Sequence, residues 1–178
     1  LVLIALLNVV FSREREVIVG ISVTIFSTLY LGLISYVYII RSLPGGWMWL
    51  VFLFACTWAS DTMAFFGGKL FGSNPLAPSI SPGKTREGAL TGILASIITA
   101  YLLTLYYSVI PIGHALLLGF FVAVAGQLGD LVESSLKRES GVKDSGSIIP
   151  GHGGVLDRFD SMLLTAPLVY YYIVYLIL

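Results

Sequence analysis

Five stretches of about 20 predominantly apolar residues, at 17–40, 47–66, 89–110, 115–136 and 159–178, set what this 178-residue chain can become. Each is long enough to carry a helix across the roughly 30 Å hydrocarbon core of a bilayer. Charged residues make up only 11% of the chain and hydrophobic ones 57%, where a soluble domain carries about 25% charged. The expected fold class is all-α: a polytopic integral membrane protein with five full transmembrane helices. A truncated sixth precedes them, because residues 1–11 are largely apolar, begin at Leu1 without an initiator Met, and lack a basic leader or cleavage site. Residues 1–178 read as one transmembrane catalytic domain, a fragment lacking N-terminal spans.

The connectors between spans differ in character. Those at 42–46 and 111–114 are tight Pro/Gly turns, whereas 69–87 and 137–158 are long and polar. If the spans alternate, Arg13, Arg15, Lys69, Lys84, Arg86, Lys137, Arg138, Lys143 and Arg158 fall on one side and Arg41 alone on the other. The asymmetry places both long loops in the cytoplasm. Trp47, Trp49, Tyr106, Tyr107 and Tyr170 to Tyr172 gather near span ends as an interfacial belt. The single cysteine, Cys56, excludes an internal disulfide and reads as a small buried hydrophobe.

Several acids lie within spans. Asp61 precedes Lys69, and Asp130 precedes Lys137, by about two helical turns, so both sit roughly 10–12 Å below the same boundary. Asp157 and Asp160 are three apart at the start of the last span and share a helical face; Glu133 follows Asp130 at the same spacing. An ionised carboxylate in a span costs on the order of 2.5–3.5 kcal/mol, and several of one sign repel, so a cation belongs among them. Lys and Arg stems reach water too easily to guarantee it. Mg²⁺, held by carboxylates and substrate phosphates, fits; intramembrane salt bridges and an ion relay remain as alternatives.

The 69–87 loop adds donors. Ser81, Lys84, Thr85 and Arg86 precede a helix start near Gly88, where backbone N–H groups favour anions. Gly83-Lys84-Thr85 resembles the end of a P-loop, but the required first glycine falls on Pro78 and no strand precedes it. Gly151, Gly153 and Gly154 flank His152 and permit close approach of backbone to a ligand, although a flexible loop tip looks the same. His152 itself suits either a backbone hydrogen bond or a phosphate; His114 reads as interfacial.

Residues 134–160 carry a family resemblance. The string Ser134-Ser135-Leu136-Lys137-Arg138, Lys143-Asp144, Pro150-Gly151-His152-Gly153-Gly154 and Asp157-Arg158-Phe159-Asp160 resembles the signature of the phosphatidate cytidylyltransferases, or CDP-diacylglycerol synthases. Ala59-Ser60-Asp61-Thr62 with Phe65 to Gly68, Ser81-Pro82-x-Lys84-Thr85-x-Glu87-Gly88, and Gln127-x-Gly129-Asp130-Leu131-x-Glu133-Ser134 extend it back to about Trp47. Gly83 and Arg86 depart from it, standing where another lysine and an aromatic residue are common.

The resemblance implies transfer of the cytidylyl group of CTP to phosphatidic acid, giving CDP-diacylglycerol and pyrophosphate for phospholipid biosynthesis. It implies Mg²⁺, with one ion or two left open, bound by Asp61, Asp130, Asp157 and Asp160. Asp130, Asp157, Lys137 and Arg158 would be catalytic, and Ser81, Lys84, Thr85, Lys137, Arg138, Lys143, His152 and Arg158 would hold phosphates. It further implies a homodimer among membrane lipids, no nucleic-acid partner, and a bacterial-type inner membrane with the site facing the cytoplasm. A CTP-dependent polyprenol or lipid-alcohol kinase would attack the γ-phosphorus with similar machinery. An ion-coupled transporter would bury carboxylates without needing the basic block.

Overall fold

The computed structural model describes residues 17–107, 110–142, 145–146, 154 and 156–178. Helix α1 (Val17–Gly32) passes through a short 3₁₀ turn (Leu33–Ser35) into α2 (Tyr36–Arg41), so the first span is a continuous but locally tightened rod. Helices α3 (Gly46–Phe71), α4 (Arg86–Tyr107), α5 (Ile112–Glu139) and α6 (Leu156–Leu176) follow. All five spans are long and apolar enough to cross a membrane, as the sequence predicts. This is an integral membrane protein with an all-helical bundle.

Helices α3 to α6 pack antiparallel in chain order. Thr91 Oγ1 of α4 donates to the Met63 carbonyl of α3 at 3.0 Å, and Ser96 Oγ of α4 donates to the Gly119 carbonyl of α5 at 2.7 Å. Further along, Gln127 Nε2 of α5 donates to the Ala89 carbonyl at 3.0 Å. The start of α4 thus lies beside the late parts of both α3 and α5, as antiparallel neighbours require. Lipid offers little hydrophobic drive for helix association, so close contact through small residues and interhelical hydrogen bonds must substitute. Gly88 and Gly92 show how: a Cβ on either would run into the α3 backbone carbonyl of Ala64 or Ser60. The deepest layer collects Leu53, Cys56, Ala100, Leu118, Val122, Ala166, Val169 and Ile173. Cys56 is buried and reduced.

The two ends of the bundle are built differently. At one end, the Pro44-Gly45 turn ends on Gly45 in the left-handed region (φ 68°). There Trp49 Nε1 donates to the Pro44 carbonyl at 3.0 Å, and His114 Nδ1 lies 3.0 Å from the Tyr172 hydroxyl. The other end is polar. The 69–87 segment, expected as a loop, is instead the last turn of α3, a two-stranded antiparallel hairpin (β1, Pro75–Ala77; β2, Ser81–Thr85) and the first turn of α4. Pro75, Pro78 and Pro82 disguise these strands in the sequence, since proline withholds a ladder donor and belongs to edges. A two-stranded hairpin has nothing but edges.

Candidate active site

The polar end encloses a cavity of about 450 Å³ between α3, the hairpin, α4 and α5. Asp61, Phe65 and Lys69 of α3, Lys84 and Thr85 of β2, and Asp130 of α5 are among the residues lining it. Asp61 and Asp130, expected at matching depth from spacing alone, thus share one chamber. Lys84 Nζ, shielded from solvent, lies 2.5 Å from Asp130 Oδ2. Thr85 Oγ1 accepts a hydrogen bond from Gly88 N at 3.1 Å, capping α4. Ser81 sits half-buried on β2, and Arg138 Nε reaches the Ile80 carbonyl at the hairpin tip at 3.4 Å.

Next to the cavity, Asp130, Glu133 and Asp160 each present a carboxylate oxygen, all within 4.8 Å of one another. Backbone proximity makes this possible. A Cβ on Gly129 would sit 2.7 Å from the Asp160 carbonyl oxygen, so only glycine lets α5 and α6 approach this closely beside their acids. Asp160 Oδ1 accepts from Ser161 N at 2.7 Å, and the Ser161 hydroxyl stands 3.3 Å from Asp160 Oδ1 and 3.2 Å from Asp61 Oδ2. One hydroxyl proton cannot serve both acids. The fourth acid of this neighbourhood is therefore coupled to the trio through a shared, insufficient donor.

Glu133 is the most constrained of these acids, with its side chain 1% exposed. Lys137 Nζ meets its Oε2 at 2.6 Å, while Oε1 is buried with no hydrogen-bond donor among the described residues. An ionised oxygen left this way in a low-dielectric site calls for a cation. The trio is all oxygen, with Glu133 buried and Asp130 lining the cavity, and so fits Mg²⁺, which takes oxygen ligands and keeps positions for water and phosphate. The sequence placed Glu133 on the face of Asp130 without assigning it a role. Its signal was the Asp130-x-x-Glu133 spacing, masked by Lys137 four residues on, which reads as an ordinary helical ion pair.

Asp157 lies in a different setting. Its carboxylate accepts from Lys137 Nζ at 2.7 Å, Gly154 N at 2.7 Å, Ser145 Oγ at 2.9 Å and Ser145 N at 3.0 Å. The sequence led us to expect Asp130 and Asp157 around a common ion. The structure pairs Asp130 with Lys84 and Asp157 with Lys137, which also meets Glu133, and among the described residues the acids it gathers are Asp130, Glu133 and Asp160. Lys137 bridges Glu133 and Asp157, so it ties the trio to the acid that holds Ser145 and Gly154. Arg158 is exposed on the first turn of α6. Lys143 and His152 lie outside the described residues. Lys69, which the sequence placed only on a basic loop, and Gln127 both line the cavity.

The sequence matches the cytidylyltransferase family over residues 1–176. The chain belongs to the cytidylyltransferase family. Among its relatives, the phosphatidate cytidylyltransferase of Staphylococcus epidermidis is 41% identical over 93% of this chain and 64% of its own length. That of Bacillus subtilis is 45% identical over 82% of this chain and 55% of its own, and that of Synechocystis sp. 45% over 77% and 47%. The chain thus spans at most about two thirds of the length of these cytidylyltransferases. Both the cavity and the carboxylate trio fall inside the stretch matched by the family.

Proposed function

We propose that this chain forms the catalytic part of an enzyme that transfers the cytidylyl group of CTP to phosphatidic acid. The observation that carries the reading is the meeting of Asp130, Glu133 and Asp160 beside a cavity into which the hairpin delivers Lys84. A phosphate oxygen of the lipid attacks the α-phosphorus of CTP, a new P–O–P link forms, and the bond to the β-phosphate breaks to release pyrophosphate. The attacking phosphate is already ionised at neutral pH, so no general base is required. What the reaction requires is relief of repulsion between two anions.

Asp130, Glu133 and Asp160 would hold Mg²⁺, with Asp61 beside them. When bound, Mg²⁺ supplies charge neutralisation on the reacting phosphate oxygens. Lys84 and Lys69 face the same chamber and would bind nucleotide phosphates, with Ser81, Thr85 and Arg138 along the hairpin and Arg158 on α6. Asp157 would act by holding Lys137, Ser145 and Gly154 in place, and Lys143 and His152 would bind phosphates, as the family motif implies. The recessed position suits a lipid headgroup arriving laterally and a nucleotide arriving from the cytoplasm at an inner membrane. A homodimer in the membrane is part of the same reading, and cross-linking in native vesicles reports on it.

The test uses the complete protein with phosphatidic acid and CTP labelled at the α-phosphate. Label entering the lipid, with stoichiometric pyrophosphate and loss of transfer on chelation of divalent metal, is the expected result. Transfer of the γ-phosphate instead, or no transfer with the metal present, overturns the reading.

A further inference from the structure

The neck of the hairpin is held by one side chain. Glu87, in the first turn of α4, turns back across the chain and accepts three hydrogen bonds. Ser73 N and Asn74 N donate to its Oε2 at 3.2 Å each, and Asn74 Nδ2 donates to its Oε1 at 2.6 Å. Beside this clasp, Arg86 N donates to the Asn74 carbonyl at 2.9 Å, and Pro75 pairs with Thr85. The segments that enter and leave the hairpin are therefore pinned together within two residues of Lys84. Lys84 projects from the pinned strand to Asp130, its Nζ shielded from water.

We propose that Glu87, through its clasp on Asn74, is a positioning residue that holds Lys84 at the mouth of the carboxylate site. The inference rests on the functional reading above and deepens it. A glutamate in the first turn of a helix has a simpler role, favourable interaction with the helix dipole, and that role needs no partner at 74. Here both carboxylate oxygens are spent on Ser73 and Asn74. The clasp is solvent-exposed, where a single charged contact adds little to global stability. Its leverage is geometric, because the reach of Lys84 depends on where the hairpin neck stands, and misplacing a phosphate-binding cation by about 1 Å costs on the order of 100-fold in rate.

The chemistry of the amide offers a discriminating set of variants. In Glu87→Gln, the Asn74 amide can turn over to present Oδ1 to the new Nε2, while the remaining carbonyl oxygen keeps the backbone donors. The clasp survives though the charge is gone. Asn74→Asp sets two carboxylates against each other and opens it. Combining Asn74→Asp with Glu87→Gln restores a donor–acceptor match.

Two readouts on the complete protein in detergent decide the matter. The first is acylation of Lys84 relative to Lys69 by an amine-reactive ester, read by mass spectrometry without reference to turnover. Glu87→Ala and Asn74→Asp are expected to raise the Lys84 to Lys69 ratio by about 5-fold, the shielding of Nζ being lost, while Glu87→Gln and the double variant stay within about 2-fold of wild type. The second is kcat/KM for CTP. It is expected to fall by about 10-fold in Glu87→Ala but by less than about 2-fold when that change is made on a Lys84→Ala background, since the two residues act as one unit.

Unchanged Lys84 labelling in Glu87→Ala overturns the proposal, as does an equal loss of kcat/KM with and without Lys84. Should Glu87→Ala fail to fold, the pair Asn74→Asp and Asn74→Asp/Glu87→Gln carries the same test, and a double variant that labels like Asn74→Asp overturns it. The labelling arm stands even for a protein that transfers no cytidylyl group. A failure of the functional reading would thus be seen separately from a failure of the clasp.

Discussion

Asp157 and Asp160 sit one helical turn apart at the start of α6, yet they have opposite surroundings. Asp157 is surrounded by donors: a lysine, two backbone amides and a hydroxyl. Asp160 shares its neighbourhood with two other carboxylates and competes with Asp61 for one hydroxyl proton. A saturated acid organises backbone, whereas an acid among ionised acids stores an electrostatic deficit that a bound cation or proton removes. Motif matching alone treats the two residues as equivalent. On the function proposed above, their surroundings assign Asp157 to shaping the site and Asp160 to meeting the ion.

Substitutions can break that contrast at either pole. Asp160→Asn should lower kcat for cytidylyl transfer by at least about 1,000-fold, because an amide is a poor metal ligand. It should leave the folded fraction intact and abolish the Mg²⁺-dependent rise in melting temperature, which for a bound ion at 100 times its Kd corresponds to about 2.7 kcal/mol. A rise that persists in Asp160→Asn removes this residue from the ion site. Lys137→Met leaves Glu133 buried without its cation and should cost about 3–5 kcal/mol in a denaturation series; adding Glu133→Gln should recover most of that.

Asp157→Asn tests the saturated pole. It should destabilise by about 2 kcal/mol, by loss of charge-assisted bonds, while retaining the Mg²⁺-dependent thermal shift that Asp160→Asn loses. Gly129→Ala, which forces α5 away from the Asp160 carbonyl, should cost about 1–3 kcal/mol and reduce Mg²⁺ affinity with it, measured by titration of the thermal shift. The smallest effect belongs to the far end of the bundle. Tyr172→Phe removes the contact with His114 and should change stability by no more than about 1 kcal/mol, with turnover unaffected.

Much of this architecture could be read from the chain before any coordinates. Apolar length gives five spans, and the depth of Asp61 and Asp130 follows from helical rise, because both are properties of a single helix. Pairing between helices is a different kind of information. Nothing in the spacing of Asp130, Asp157 and Asp160 says that α5 and α6 come into close contact at Gly129, with Asp160 beside Glu133 and Asp157 toward Lys137. Glu133, placed with Asp130 and Asp160 only by the structure, draws no role from the sequence because its i,i+4 lysine explains it too easily. The hairpin was missed because its strands are three and five residues long and interrupted by proline and glycine.

The order of these parts along the chain has a consequence for how the protein is made. Helix α5 enters the membrane carrying Asp130 and Glu133, two acids whose charge opposes the otherwise favourable insertion of an apolar span. Ribosomes work from the N-terminus, so the hairpin bearing Lys84 has already left the exit tunnel by then and can receive Asp130 on arrival. Lys137 follows within the same helix to cover Glu133. Biogenesis thus meets each acid of α5 with a lysine, and on the function proposed above metal loading waits until α6 brings Asp160.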